Sequence, residues 1–100
     1  MGKLIRGIKE LFGVYETGNE YYVDIDDIEI TAQFSESKPS FAKQEAKYNY
    51  YLKTGELPAP IVLKRDFTLV DGYISYLICQ SYGINRVPVY FEEWSVWEEL

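Results

Sequence analysis

From Tyr73 to Tyr82 the chain runs Tyr-Ile-Ser-Tyr-Leu-Ile-Cys-Gln-Ser-Tyr without a single charged residue. At helical spacing Ile74, Leu77 and Ile78 share one side, and Tyr76, Cys79 and Tyr82 occupy most of the rest. A helix that is apolar nearly all round has no face to offer to water, so it belongs between two layers of structure. Any fold open to this chain must therefore supply cover on both sides of one short helix. At 100 residues and 47% hydrophobic content there is apolar material for one such core and no second domain.

The flanking segments read as that cover. Tyr21-Tyr-Val-Asp-Ile25 alternates and is rich in β-formers, which predicts a strand. Asp26 and Asp27 cap a short turn leading to Ile28 and Ile30, and the segment from Ala32 to Ser37 has no clear period and reads as a loop. Ser37-Lys-Pro-Ser40 opens a helix over Phe41 to Leu52, with Gly55 as its left-handed stop. On that helix Phe41, Tyr48 and Leu52 form an inward stripe, while Lys43, Lys47 and Tyr51 fall opposite and face solvent. Ile61-Val-Leu63 and Thr68-Leu-Val70 make a hairpin joined by Lys64-Arg-Asp-Phe67, and Asp71-Gly72 turns the chain into the uncharged helix. Gly83 ends that helix, and Val87-Pro-Val-Tyr-Phe91 is a last strand, which Pro88 assigns to an edge or a strand start. The organisation is an amphipathic helix and turn over 1–20, a domain over 21–91 and an acidic tail over 92–100.

Composition excludes several chemistries. Histidine is absent and Cys79 is the only cysteine, so one chain holds no His-based triad, zinc ribbon, redox CxxC pair or internal disulfide. That cysteine usage argues for a reducing, cytoplasmic setting. A formal charge of -6 opposes the approach of nucleic acid and anionic lipid. No apolar run reaches membrane-spanning length. The Leu4, Ile5, Ile8, Leu11 and Phe12 stripe reads as a helix closing over its own domain or a partner subunit rather than a membrane anchor. Asp24, Asp26, Asp27 and Glu29 lack the glycine and distal glutamate of an EF-hand and read as the wet face of a strand, so neither metal nor cofactor is expected.

The order Gly55-Glu-Leu-Pro-Ala-Pro-Ile61, Leu69-Val-Asp-Gly72, a buried helix and Gly83-Ile-Asn-Arg-Val-Pro-Val89 resembles the N-terminal domain shared by ParB proteins and sulfiredoxins, over about residues 21–91. The resemblance implies a single small α+β domain, with a mixed sheet of short strands packed against a buried central helix. It also implies an anion site at the Asp71-Gly72 turn, where backbone N–H groups at a helix start receive nucleotide phosphates. ParB proteins follow their glycine with Glu-Arg-Arg and sulfiredoxins with Cys-His-Arg, whereas Tyr73, Ile74 and Ser75 stand here. On that reading Asp71, Gly72, Tyr73 and Ser75 are the remnant of a nucleotide site. A charge-assisted bond to phosphate contributes about 1.5–3 kcal/mol, so the loss of two arginines weakens nucleotide binding by about a hundredfold or more. Nucleotide binding is thus expected to be weak or absent, with the Asp71 carboxylate already occupying the helix-start donors.

The remaining polar surface is read as a docking face. Residues 38–65 hold the basic stretch, including Lys43, Lys47, Lys53, Lys64 and Arg65. Tyr51 with the long lysine stems suits protein contact, and Trp94 and Trp97 add apolar area near the C-terminus. The expected function is a non-catalytic binding or regulatory module acting through a protein partner or a homo-oligomer. The alternative is a nucleotide-dependent enzyme (a CTP or ATP hydrolase, phosphotransferase or nuclease) using Asp24, Asp26 or Asp71 with Mg²⁺, and Lys64 or Arg65 as phosphate clamps.

Overall fold

The structure, a computed structural model, describes residues 15–92. Its elements in chain order are β1 (Tyr21–Asp24), a 3-10 turn (Ile25–Asp27), α1 (Ala32–Ser35), α2 (Phe41–Thr54), β2 (Ile61–Leu63), β3 (Leu69–Asp71), α3 (Tyr73–Ser81) and β4 (Arg86–Phe91). The four strands form one mixed sheet in the order β1-β4-β2-β3, antiparallel at both outer pairs and parallel between β4 and β2. Alternation along the strands buries Ile61 and Leu63 of β2 and Val87, Val89 and Phe91 of β4. The uncharged helix α3 lays Ile78 and Cys79 into the same core and packs against β2 on one side and α2 on the other. The architecture is thus the expected α+β arrangement around a central helix.

At the far end of the core four rings cluster. Tyr15 stacks on Phe91 at 4.3 Å, with Tyr21 and Phe67 edge-on to it. Among the described residues, Phe67 is the non-glycine residue with positive φ, at 69°. A bulky side chain rarely adopts that backbone, and here the ring is anchored in the aromatic cluster while the Phe67 amide closes the hairpin turn on the Lys64 carbonyl at 2.8 Å.

Several local expectations are corrected. Residues 32–35 form one helical turn rather than a loop, because the Thr31 hydroxyl accepts from the Phe34 amide and starts it. The turn after β1 is capped by Asp24, which accepts from the Asp26 amide at 3.0 Å, and not by Asp26 or Asp27. Strand β4 is central, although it contains Pro88. The Glu92 amide donates to Leu63 at 3.0 Å, so the even-numbered amide positions of β4 face β2. Proline therefore stands level with the chain just before Ile61, where the parallel ladder has not begun, and no strand bond is lost.

Helix α2 is turned differently from the expected wheel. Ser40 caps it at Lys43 N and Gly55, at φ 74°, ends it as predicted. Yet Gln44, Lys47, Tyr48 and Tyr51 are its less exposed face, whereas Phe41 and Leu52 are 80% and 63% exposed. The cause is the surface that α2 meets. The C-terminal turn of α3 presents Ser81 and Tyr82, so a hydroxyl pair (Tyr48 with Ser81, 3.2 Å) and a ring pair (Tyr51 with Tyr82, 5.3 Å) make the contact. The stripe over Leu4 to Phe12 and the Trp94/Trp97 pair lie outside the described residues.

Candidate functional site

The turn between β3 and α3 is fixed by backbone sterics. Gly72 adopts φ 83°, and a Cβ placed there would lie 2.2 Å from the Pro60 carbonyl oxygen and 2.8 Å from Ile61 Cα. Only glycine satisfies both the left-handed conformation and the close approach of the Pro60 backbone. Ser75, buried one turn further on, donates from its hydroxyl to the Ala59 carbonyl at 2.6 Å and accepts from the Ala59 amide at 3.3 Å. The segment of residues 58–60 is thereby pinned to the first turn of α3.

A cleft of about 360 Å³ opens over this helix start. Asp71, Gly72, Tyr73 and Ser75 all line it, so the structure brings together the four residues singled out at the turn. The Ser75 hydroxyl, however, is engaged with Ala59 and serves the wall. The Asp71 carboxylate takes the Gly72 amide at 2.8 Å, and no side chain caps α3. Of the helix-start donors the Asp71 carboxylate takes the Gly72 amide alone, and the first turn of α3 beyond it has no side-chain cap.

Residues 73–75 supply no cation, but lysines from outside α3 do. Lys38, from the loop before α2, and Lys43 and Lys47, one turn apart on α2, line the same cleft. Sequence reasoning grouped Lys43 and Lys47 as a solvent face and did not single out Lys38. Their spacing of four predicts a common helix face, but which feature that face overlooks depends on how α2 packs. Phe34 of α1 closes another wall, its ring 5.4 Å from that of Tyr73.

Other predicted residues fall elsewhere. Tyr51 packs on Tyr82, and Lys64 is exposed at the hairpin turn outside the cleft. Arg65 is not a surface cation: it is 8% exposed and donates to the backbone carbonyls of Tyr15 and Glu92 and to Thr17 Oγ1. Its guanidinium joins the two ends of the described chain instead of reaching a ligand. Asp24, Asp26, Asp27 and Glu29 do not converge, and among the described residues no group of three or more metal-ligating side chains is assembled. Burial pushes the Cys79 thiol above its ordinary range, which disfavours a thiolate nucleophile. Tyr76 is raised chiefly by burial, with Tyr73 and Asp26 adding to it. Among the described residues no helix is long and apolar enough to cross a membrane.

A left-handed glycine feeding a central helix, with a mixed four-stranded sheet on one side and a lysine-bearing helix on the other, defines a small α+β domain. Among solved structures that fold is the ParB N-domain. A pNOB8-like ParB N-domain matches with a TM-score of 0.63 at 21% identity over 81% of this chain and 32% of its own. A second structure of a pNOB8-like ParB N-domain gives 0.60 at 22% identity, over 80% and 29%. The C-terminally truncated chromosome-partitioning protein ParB from Caulobacter crescentus, complexed with CTP-γ-S, gives 0.58 at 16% identity, over 81% and 48%. The chain spans about a third of the length of the first two. No protein-family pattern and no curated protein matches the sequence.

Proposed function

We propose that this chain is a ParB-N-like binding module that receives the phosphate groups of an anionic ligand at the start of α3 and acts through binding rather than turnover. The observation that carries this reading is the convergence of Lys38, Lys43 and Lys47 on a helix N-terminus that no side chain caps. Backbone amides and a helix dipole hold negative charge without moving a proton or supplying a nucleophile, and lysines on an open surface hold it as point charges. A nucleoside triphosphate is the leading ligand, because the Caulobacter relative of the same fold was solved with CTP-γ-S. At this exposure each lysine contributes at most about 1 kcal/mol, so three together offset at most about a hundredfold of the loss that goes with the arginines.

The test is thermal denaturation with CTP, ATP, GTP or UTP and Mg²⁺, alongside tripolyphosphate. A ligand at a hundred times its dissociation constant adds about 2.7 kcal/mol, a rise of several degrees in a domain of this size. Lys43→Gln with Lys47→Gln should remove most of that rise. Unchanged melting with all five compounds refutes the reading. A protein-contact role is favoured separately by the outward Phe41 and Leu52 on α2. Sedimentation of a clean monomer at high micromolar concentration, with Phe41→Ser and Leu52→Ser behaving identically, would remove the homo-oligomeric form of that role.

A further inference from the structure

On the other side of residues 58–60 lies a second groove, of about 490 Å³, between the end of α2 and the β2–β4 seam. Leu57, Pro60 and Pro88 give it apolar surface, and Tyr90, Glu20 and Glu56 give it polar groups. Several backbone donors along the groove are missing or already engaged. Pro60 and Pro88 have no amide hydrogen, and they face one another where the parallel ladder has not yet started. The amides of Gly55, Glu56 and Ala59 are engaged with Tyr51 O, Thr54 Oγ1 and Ser75 Oγ. The Tyr90 hydroxyl donates to Glu20 Oε2 at 3.4 Å, and no lysine or arginine lines the groove. Its charged groups are the two exposed carboxylates of Glu20 and Glu56, beside the apolar surface of Leu57, Pro60 and Pro88.

We infer that this groove is a docking site for a basic peptide segment of a partner protein, whose arginine or lysine heads meet Glu20 and Glu56 while apolar side chains rest on Leu57, Pro60 and Pro88. Charge complementarity selects that occupant. A carboxylate ligand or nucleic acid would meet two negative groups with no lysine or arginine to offset them, whereas a guanidinium supplies five N–H donors to oxygen acceptors. The long stems of arginine and lysine cover apolar surface while keeping the charged head wet, which matches proline and leucine surface beside two carboxylates. This site is independent of the phosphate cleft, which presents the opposite charge.

The probe is a hexapeptide of alternating leucine and arginine, blocked at both ends, with its citrulline counterpart as the uncharged control. Titrated into the ¹⁵N-labelled full chain, the arginine peptide should shift the amides of Glu20, Glu56, Leu57 and Tyr90, and the citrulline peptide should bind at least tenfold more weakly. Glu20→Gln with Glu56→Gln should cost about tenfold in affinity. Glu36→Gln with Asp66→Asn, which makes the same charge change on exposed residues outside the groove, should cost less than about threefold, the two being separated by position and not by net charge. Equal losses in the two double variants, shifts centred elsewhere, or no binding would each overturn the inference.

Discussion

Replacing Gly72 with alanine tests how the helix start is built. The left-handed backbone alone costs an L-residue about 1–2 kcal/mol. The added methyl also meets backbone, 2.2 Å from the Pro60 oxygen and 2.8 Å from Ile61 Cα, and backbone cannot swing aside as a side-chain tip can. Overpacking of that kind adds about 1–3 kcal/mol, for a total of about 2–5 kcal/mol. With about 4–8 °C per kcal/mol in a domain of this size, Gly72→Ala should lower Tm by at least about 8 °C. Gly83→Ala is the internal reference: its φ is 69°, but no heavy atom lies within 4 Å of the new Cβ. It should show the backbone cost alone, about 1–2 kcal/mol. Differential scanning calorimetry of both variants separates the terms. Equal Tm losses would mean that the close approach of Pro60 to the turn is not what makes glycine necessary there.

Arg65→Met should destabilise the chain by about 3 kcal/mol in urea denaturation, because the Tyr15 and Glu92 carbonyls lose a charged donor, whereas Lys64→Ala should stay within about 0.5 kcal/mol. Ser75→Ala should cost about 1–3 kcal/mol by the same assay, since it leaves the half-buried Ala59 carbonyl without its partner. Cys79 should resist a thiol reagent in the native chain and react on unfolding. Its thiol is raised by burial, as is the Tyr76 hydroxyl, so the folded state favours both neutral forms. Their contribution is complete below the ordinary thiol range and declines as pH climbs through it and then through the tyrosine range. Melting temperature should therefore fall at alkaline pH, first through Cys79, and Cys79→Ala should delay the onset.

Features encoded within a few residues were legible in the sequence. The hairpin over β2 and β3, the Ser40 and Gly55 caps, the Gly72 turn and the burial of α3 each rest on local spacing or on a residue with one conformational use. Features set by distant partners were not. Pro88 argues for an edge until the register of β2 shows that its missing donor has no ladder to break. The facing of α2 depends on the polar end of α3, which an isolated helical wheel cannot include. Arg65 looked like surface charge because its acceptors lie at Tyr15, Thr17 and Glu92, far away along the chain. The cleft shows the same division. Its glycine and turn were readable, but its cations come from a helix whose placement only tertiary packing reveals.

Amide chemical shifts during a CTP titration address the phosphate site most directly. If phosphate groups sit on the start of α3, the Gly72, Tyr73, Ile74 and Ser75 amides should move together and saturate, and Lys43→Gln with Lys47→Gln should weaken that curve about tenfold or more. Saturable shifts confined to other surfaces, or a curve unchanged by removal of the two lysines, would contradict an anion site assembled by α2 over Gly72.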